Sequence, residues 1–193
     1  MRGLEDRRIT VLHPVRLHLS TAVVLLVQGT EAHDVEASIL LAMSNIATTY
    51  DRLGRYEEAL SMWQDIYSSW LNLCGRENKN TLQAAGNWAN LLVRLRRFEE
   101  ANPLLRKTLR VARRVLGDND DQVLRLRSIY AVALYQNDSA TLDDLSEAVA
   151  TLTDTERIAR RVLGSAHPLF GMIERDLHKA RAVLRARETL PGS

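Results

Sequence analysis

The chain has one cysteine, Cys74, in 193 residues, so no disulfide can close within it. A fold built on disulfide staples is excluded, and a reducing compartment, the cytoplasm, is the expected setting. Long apolar runs are also missing. The longest, 22–27 and 129–135, fall well short of the roughly 20 residues that cross a bilayer, which argues against a membrane partner. Charge of one sign is not in excess: 26 basic side chains stand against 24 acidic ones. A balance so near neutrality makes nucleic acid an unlikely partner on composition alone. Arg2, Arg7 and Arg8 precede an apolar stretch, as in a secretory leader, but His13, Pro14, Arg16 and His18 break that stretch.

Chemistry-bearing patterns are equally sparse. The five histidines, at 13, 18, 33, 167 and 178, show no metal-ligand spacing with a cysteine or acid. No glycine-rich phosphate loop occurs, so no metal or cofactor is expected, and neither is an enzyme. Glu174 and His178 lie four apart on a predicted helix and read as a structural pair. Cys74 reads as a packing thiol. Alternating strand patterns and Asn-Gly or Asp-Gly hairpin turns are absent, which excludes a sheet.

What is present is repetition. The segment from Met43 to Leu60 matches that from Ala85 to Asn102: Asn45 with Asn87, Ala47 with Ala89, Leu53 with Leu95, Tyr56 with Phe98, and Glu57-Glu58-Ala59 with Glu99-Glu100-Ala101. Each pair is 42 residues apart, as are Gly75 and Gly117. Arg113-Arg114-Val115-Leu116-Gly117 then recurs as Arg160-Arg161-Val162-Leu163-Gly164 after 47 residues, so a third unit carries five more. The turn-like run at 136–139 is the natural place for them. His13-Pro14 and His167-Pro168 suggest the start of two further units.

Within a unit the apolar residues follow helical spacing, as Met43, Ile46, Ala47, Tyr50 and Leu53 do, or Ala85, Trp88, Ala89, Leu92 and Leu95. Gly54 ends one helix and Tyr56 begins the next, so each unit is a helix hairpin. Alanines at 47, 59, 89 and 101 are small enough for helices to approach closely there, and Trp63, Trp70 and Trp88 fall on core faces. The pattern predicts an all-α protein with helices near 14–28, 34–53, 56–74, 80–94, 98–116, 120–135, 141–163 and 168–187. A loosely ordered segment at 1–13 would precede a helical repeat domain at 14–187. Its units lie at 34–75, 76–117 and 118–164, with partial units at 14–33 and 165–187 and a tail at 188–193. Pro103 fits a helix that starts at Phe98 or Glu99, because a proline early in a helix forfeits little hydrogen bonding.

Gly54-Arg-Tyr-Glu-Glu-Ala59 and Arg97-Phe-Glu-Glu-Ala-Asn-Pro-Leu-Leu-Arg-Lys-Thr-Leu109 resemble the tetratricopeptide repeat, in the 42-residue form of kinesin light chains and their relatives. The resemblance is strong over 39–117, weaker over 118–187 and poor before 34. The third unit departs from it by placing Ile129 where the pattern has asparagine. It implies an α-solenoid of antiparallel hairpins in a right-handed superhelical stack, with first helices lining a concave groove. It also implies a scaffold or adaptor that binds an extended peptide of a partner protein, with Asn45, Thr48, Arg52, Asn87, Asn90 and Arg94 facing the groove. Asparagine amides can clamp a peptide backbone, and Arg52 and Arg94 suit an acidic segment. Self-association through the stack ends is a further expectation.

Two other readings stay open. The stretch from Arg94 to Arg114 holds eight basic residues and two acids, which would serve a helical-repeat nucleic-acid binder or simply be a solvated helix face. The chain could also be a structural fragment of a larger repeat protein.

Overall fold

The computed structural model describes residues 32–189, and all regular structure there is helical. Seven helices follow one another among the described residues: α1 (Ala32–Arg52), α2 (Tyr56–Cys74), α3 (Lys79–Arg94), α4 (Phe98–Leu116), α5 (Asp121–Tyr135), α6 (Leu142–Val162) and α7 (Pro168–Glu188). From residue 34 onward the expected helices coincide with these to within two residues. The helix expected at 14–28 lies outside the described residues. Each helix packs on its neighbours in sequence, and α5 also touches α3 and α7. Three hairpins thus stack in order, followed by α7 as the first helix of a fourth unit.

One device makes every turn between hairpins. Gly75, Gly117 and Gly164 adopt φ of 77°, 82° and 82°, a left-handed conformation that only glycine takes without strain, and so end the preceding helix. Three residues later Asn78, Asp120 and His167 begin the next. Their side chains accept the backbone N–H two residues on, at 2.8, 2.8 and 3.2 Å, which satisfies a donor left free at the helix start. Pro168 then occupies the first turn of α7.

In the first two hairpins the three-residue turn also holds a left-handed residue. Gly54 supplies it in the first hairpin, but the matching residue of the second is Arg96, at φ 59°. A side chain there costs about 1 kcal/mol. Arg96 offsets part of that by donating to the Gln136 carbonyl at 3.2 Å and to Asp138 at 2.6 Å. The insertion in the third unit lengthens the turn from three residues to six and its second helix from 19 residues to 21. A capping box of Thr141 and Asp144 starts that helix. Pro103 is the sixth residue of α4, which runs unbroken to Leu116.

Each first helix carries two packing rows. Ala47, Ala89 and Ala131 have no exposed surface, and neither do Ala59, Ala101 and Ala148 of the second helices. At the corresponding place α7, which has no following helix among the described residues, carries the exposed His178. The alanine row therefore faces a helix's own hairpin partner. The other row faces the preceding hairpin. Trp88 packs on Tyr67 of α2 with ring centroids 5.5 Å apart. The Tyr130 hydroxyl accepts a hydrogen bond from Arg106 of α4 at 3.0 Å, and Phe170 lies under Arg160 of α6 at 5.2 Å.

Replacing Arg96 by glycine removes the left-handed strain and sacrifices exposed polar contacts and the placement of its guanidinium 5.3 Å over the Phe98 ring. Chemical denaturation of Arg96→Gly should show a gain of about 0.5–1 kcal/mol over the parent; a loss would mean that the Asp138, Gln136 and Phe98 contacts outweigh the strain.

Candidate functional site

The first helices share a concave side that holds a string of hollows. The smaller, about 320 Å³, is bordered by Leu41 and Asn45 of α1, Trp63 and Trp70 of α2, and Asn80 and Gln83 of α3. The larger, about 570 Å³, lies among α3, α5 and α7, with Gln83, Asn90, Arg125, Ile129, Met172 and Asp176 on its walls. Gln83 borders both, so the two are neighbours along the stack. A cavity of this size accommodates a few side chains of a bound segment.

The residues singled out from the sequence divide into three groups. Asn45 is exposed in the smaller hollow and Asn90 is half-buried at the larger one. Asn87 lies between them beside Gln83, and its Oδ1 accepts from Arg125 at 2.8 Å. The three asparagines thus share one side. Thr48 turns its hydroxyl onto its own helix, donating to the Ser44 carbonyl at 2.8 Å, while Arg52 is exposed near the end of α1. Arg94 is differently placed. It donates to Asp51 at 2.5 Å and to the Tyr56 hydroxyl at 2.8 Å, with its guanidinium 4.5 Å over the Tyr56 ring. Its charge is answered inside the protein and fastens α3 to the first hairpin.

Two charged groups of the larger hollow escaped sequence reasoning. Arg125 follows Leu41 and Gln83 at the same repeat position, and Asp176 follows Asn45, Asn87 and Ile129 once α7 is aligned by the 47-residue step. That longer step, not 42, would have revealed Asp176. Arg125 is reachable from solvent yet hemmed in by the concave wall. Burial pulls its pKa below the usual guanidinium value, and Asp121 and Asp51 act through space against that. Its hydrogen bond goes to an amide rather than a carboxylate. For Asp176, burial lifts the carboxyl above the usual range. The Ser128 hydroxyl at 3.4 Å, the Tyr135 hydroxyl at 3.3 Å and the nearby Lys179 and Arg175 oppose this without cancelling it. The same crowding, with Asp176 beside it, pushes the Tyr135 phenol up to about 12.

The basic stretch 94–114 is mostly spent on internal pairs. Arg96 meets Asp138, Arg97 meets Glu100 and Arg113 meets Asp118, at 2.6, 2.7 and 2.6 Å. Arg114 pairs with Glu77 and Arg106 bonds Tyr130. Cys74 lies 3.6 Å from His33, a contact between α2 and α1. Glu174 does not form the expected bond with His178 and lies 3.7 Å from Arg160, which reaches it from α6. No cluster able to hold a metal ion occurs among the described residues, and no helix there is long and apolar enough to cross a membrane.

Because the Asp176 carboxyl is raised in the folded state, its contribution is fully present below the unfolded value, about 3.9. It is lost as pH rises through the folded value. Asp176→Asn keeps the shape and removes the penalised charge, so it should match the parent near pH 3 and exceed it in stability at pH 7. Denaturation midpoints across that range test this; a variant less stable at pH 7 would contradict it.

The sequence profile of the tetratricopeptide repeat family matches residues 38–109. No curated protein matches the chain. Among solved structures, the fold resembles a putative kinesin light chain with nearly identical TPR-like repeats from Podosopora anserina. The TM-score is 0.62 at 19% identity, covering 94% of this chain and 84% of that one. A variant of the same protein gives 0.64 with the same identity and coverage. BtubC (BKLC) from P. vanneervenii gives 0.57 at 17% identity, covering 100% of this chain and 78% of its own.

Proposed function

Residues 38–109 are tetratricopeptide repeats within an all-helical stack, and on that premise we propose that the protein is an interaction scaffold whose concave side binds an extended segment of a partner protein. The observation that carries this is the pair of neighbouring hollows along the first helices, whose polar groups the fold does not use up. Asn45, Gln83 and Asn90 offer amide donors and acceptors at its wall, suited to a peptide backbone of any sequence. Arg125 adds a charge whose hydrogen bond goes to the Asn87 amide, with Asp121 and Asp51 acting on it only through space. A partner carboxylate would be a better acceptor for it. Ile129 and Met172 give apolar contact beside it.

The segment is therefore acidic where it passes Arg125. When its carboxylate takes the Arg125 guanidinium, the Asn87 amide is freed to join the clamp. Arg52 extends the basic side of the groove at its other end. Arg94 belongs to the same site only if a ligand displaces Asp51. A reversible peptide contact of this kind has micromolar affinity, about −8 kcal/mol. The role is binding rather than catalysis, and its setting is the cytoplasm.

Arrayed peptides of about ten residues, probed with the parent and with Arg125→Gln, test the reading. Bound peptides should carry an acidic residue, and the substitution should weaken them about tenfold, the scale of one charge-assisted bond. Binding indifferent to Arg125, Asn45 and Asn90 would sink it. Salt-sensitive binding of RNA through Lys107 and Arg110 would favour the nucleic-acid reading instead.

A further inference from the structure

We propose that Asp176 receives a basic side chain of the bound segment, so that the partner carries an acidic and a basic residue close together in sequence, an inference that rests on the groove reading given above.

Asp176 is half-buried on the wall of the larger hollow. Its oxygens accept only from neutral groups, the Ser128 hydroxyl at 3.4 Å and the Tyr135 hydroxyl at 3.3 Å, both long for a carboxylate. Asp51, Asp118, Asp138 and Asp154, by contrast, are each paired with an arginine. The basic neighbours of Asp176 on α7, Arg175 and Lys179, act on it through space without bonding to it. Arg175 is folded back over Gly171, 3.5 Å from where a methyl group on that glycine would sit. A carboxylate can accept about four hydrogen bonds, so acceptor capacity remains. Burial disfavours its charged form, and a bonded cation is what would restore it.

Arg125 and Asp176 thus border one hollow with opposite charges, and neither forms an ion pair among the described residues. A purely acidic segment would satisfy the first and bring a like charge toward the second. A segment with both signs satisfies each, and like-charge contact at Asp176 rejects the other kind.

The helix sets the spacing. Ser128 and Tyr135, which hold Asp176, lie three and ten residues beyond Arg125 on α5. At about 1.5 Å of rise per residue, the two charges stand roughly 5–15 Å apart along that helix. An extended segment advances about 3.3 Å per residue, so its acid and base are about two to four positions apart. Ile129 and Met172 border the same hollow and take the apolar atoms between the two charges.

An array of peptides of about ten residues tests this on the full chain. Each peptide carries one glutamate and, about two to four positions away on either side, either lysine or glutamine. The remaining positions are drawn from serine, alanine, leucine and asparagine. At one spacing the lysine peptides should bind the parent about tenfold more tightly than their glutamine counterparts, the scale of one charge-assisted bond. Asp176→Asn should abolish that advantage without weakening the glutamine peptides, which report that the variant is folded. A lysine advantage that survives Asp176→Asn, or none at any spacing, would overturn the proposal. The groove reading would still stand if Arg125→Gln weakens the glutamine peptides. Failure of every peptide to bind, or binding indifferent to Arg125, would remove that reading and this proposal together.

Discussion

The stack depends on how closely the two helices of each hairpin can approach. Six alanines, at 47, 59, 89, 101, 131 and 148, have no exposed surface, and their side chains end at the methyl group. A larger residue at such a point would hold the helices apart or force its neighbours off their rotamers. With that distance fixed, the remaining apolar residues fill what is left: Trp63, Ile66 and Trp70 in the first hairpin, and Leu105, Leu145 and Leu152 in the next two. The first helices also meet one another closely. A methyl group built on Gly86 would reach 3.0 Å from Leu126, so a side chain there would require the Leu126 side chain of α5 to shift. Small residues set the spacing, and larger ones seal it.

That geometry decides where the chemistry can be. The first helices spend two rows on packing, one on their partner and one on the preceding hairpin, which leaves the concave side for polar residues. Most arginines serve the scaffold instead. Arg94 with Asp51 and Arg96 with Asp138 each join neighbouring units, Arg114 with Glu77 ties α4 to the turn before α3, and Arg127 with Asp154 joins α5 to α6. Arg125, like Arg161 with Asn119, bonds an amide rather than a carboxylate, and it is the one that lines the larger hollow. A cation with no carboxylate bonded to it, reachable from solvent in the wall of a hollow, suits recognition of an acidic segment.

Most of the fold was legible because the repeat is written in residues whose roles are unambiguous. The glycines at 54, 75, 117 and 164 mark left-handed turns, and the matched alanines mark the hairpin crossings. Arg96 hides a turn that Gly54 announces, and only the register exposed it. The site was less legible. Asn45, Asn87 and Asn90 could be placed by register alone, since one helix period carries them to one side. Whether a charge is free cannot be read that way: Arg52, Arg94 and Arg125 look alike in the sequence. The Asp51 carboxylate that occupies Arg94 comes from a different unit, 43 residues earlier. Asp176 was hidden for another reason, since the inserted third unit shifts its register by five residues.

The claim that alanine at the hairpin crossing sets the fold can be tested at one repeat position in two contexts. Ala89 faces a partner helix with no exposed surface, while His178 occupies the corresponding place on α7 and is exposed. Chemical denaturation of Ala89→Leu should show a loss of about 1–3 kcal/mol from overpacking. His178→Leu, the same residue at the same register, should stay within about 0.5 kcal/mol of the parent. Similar losses at both positions, or none at Ala89, would contradict the account.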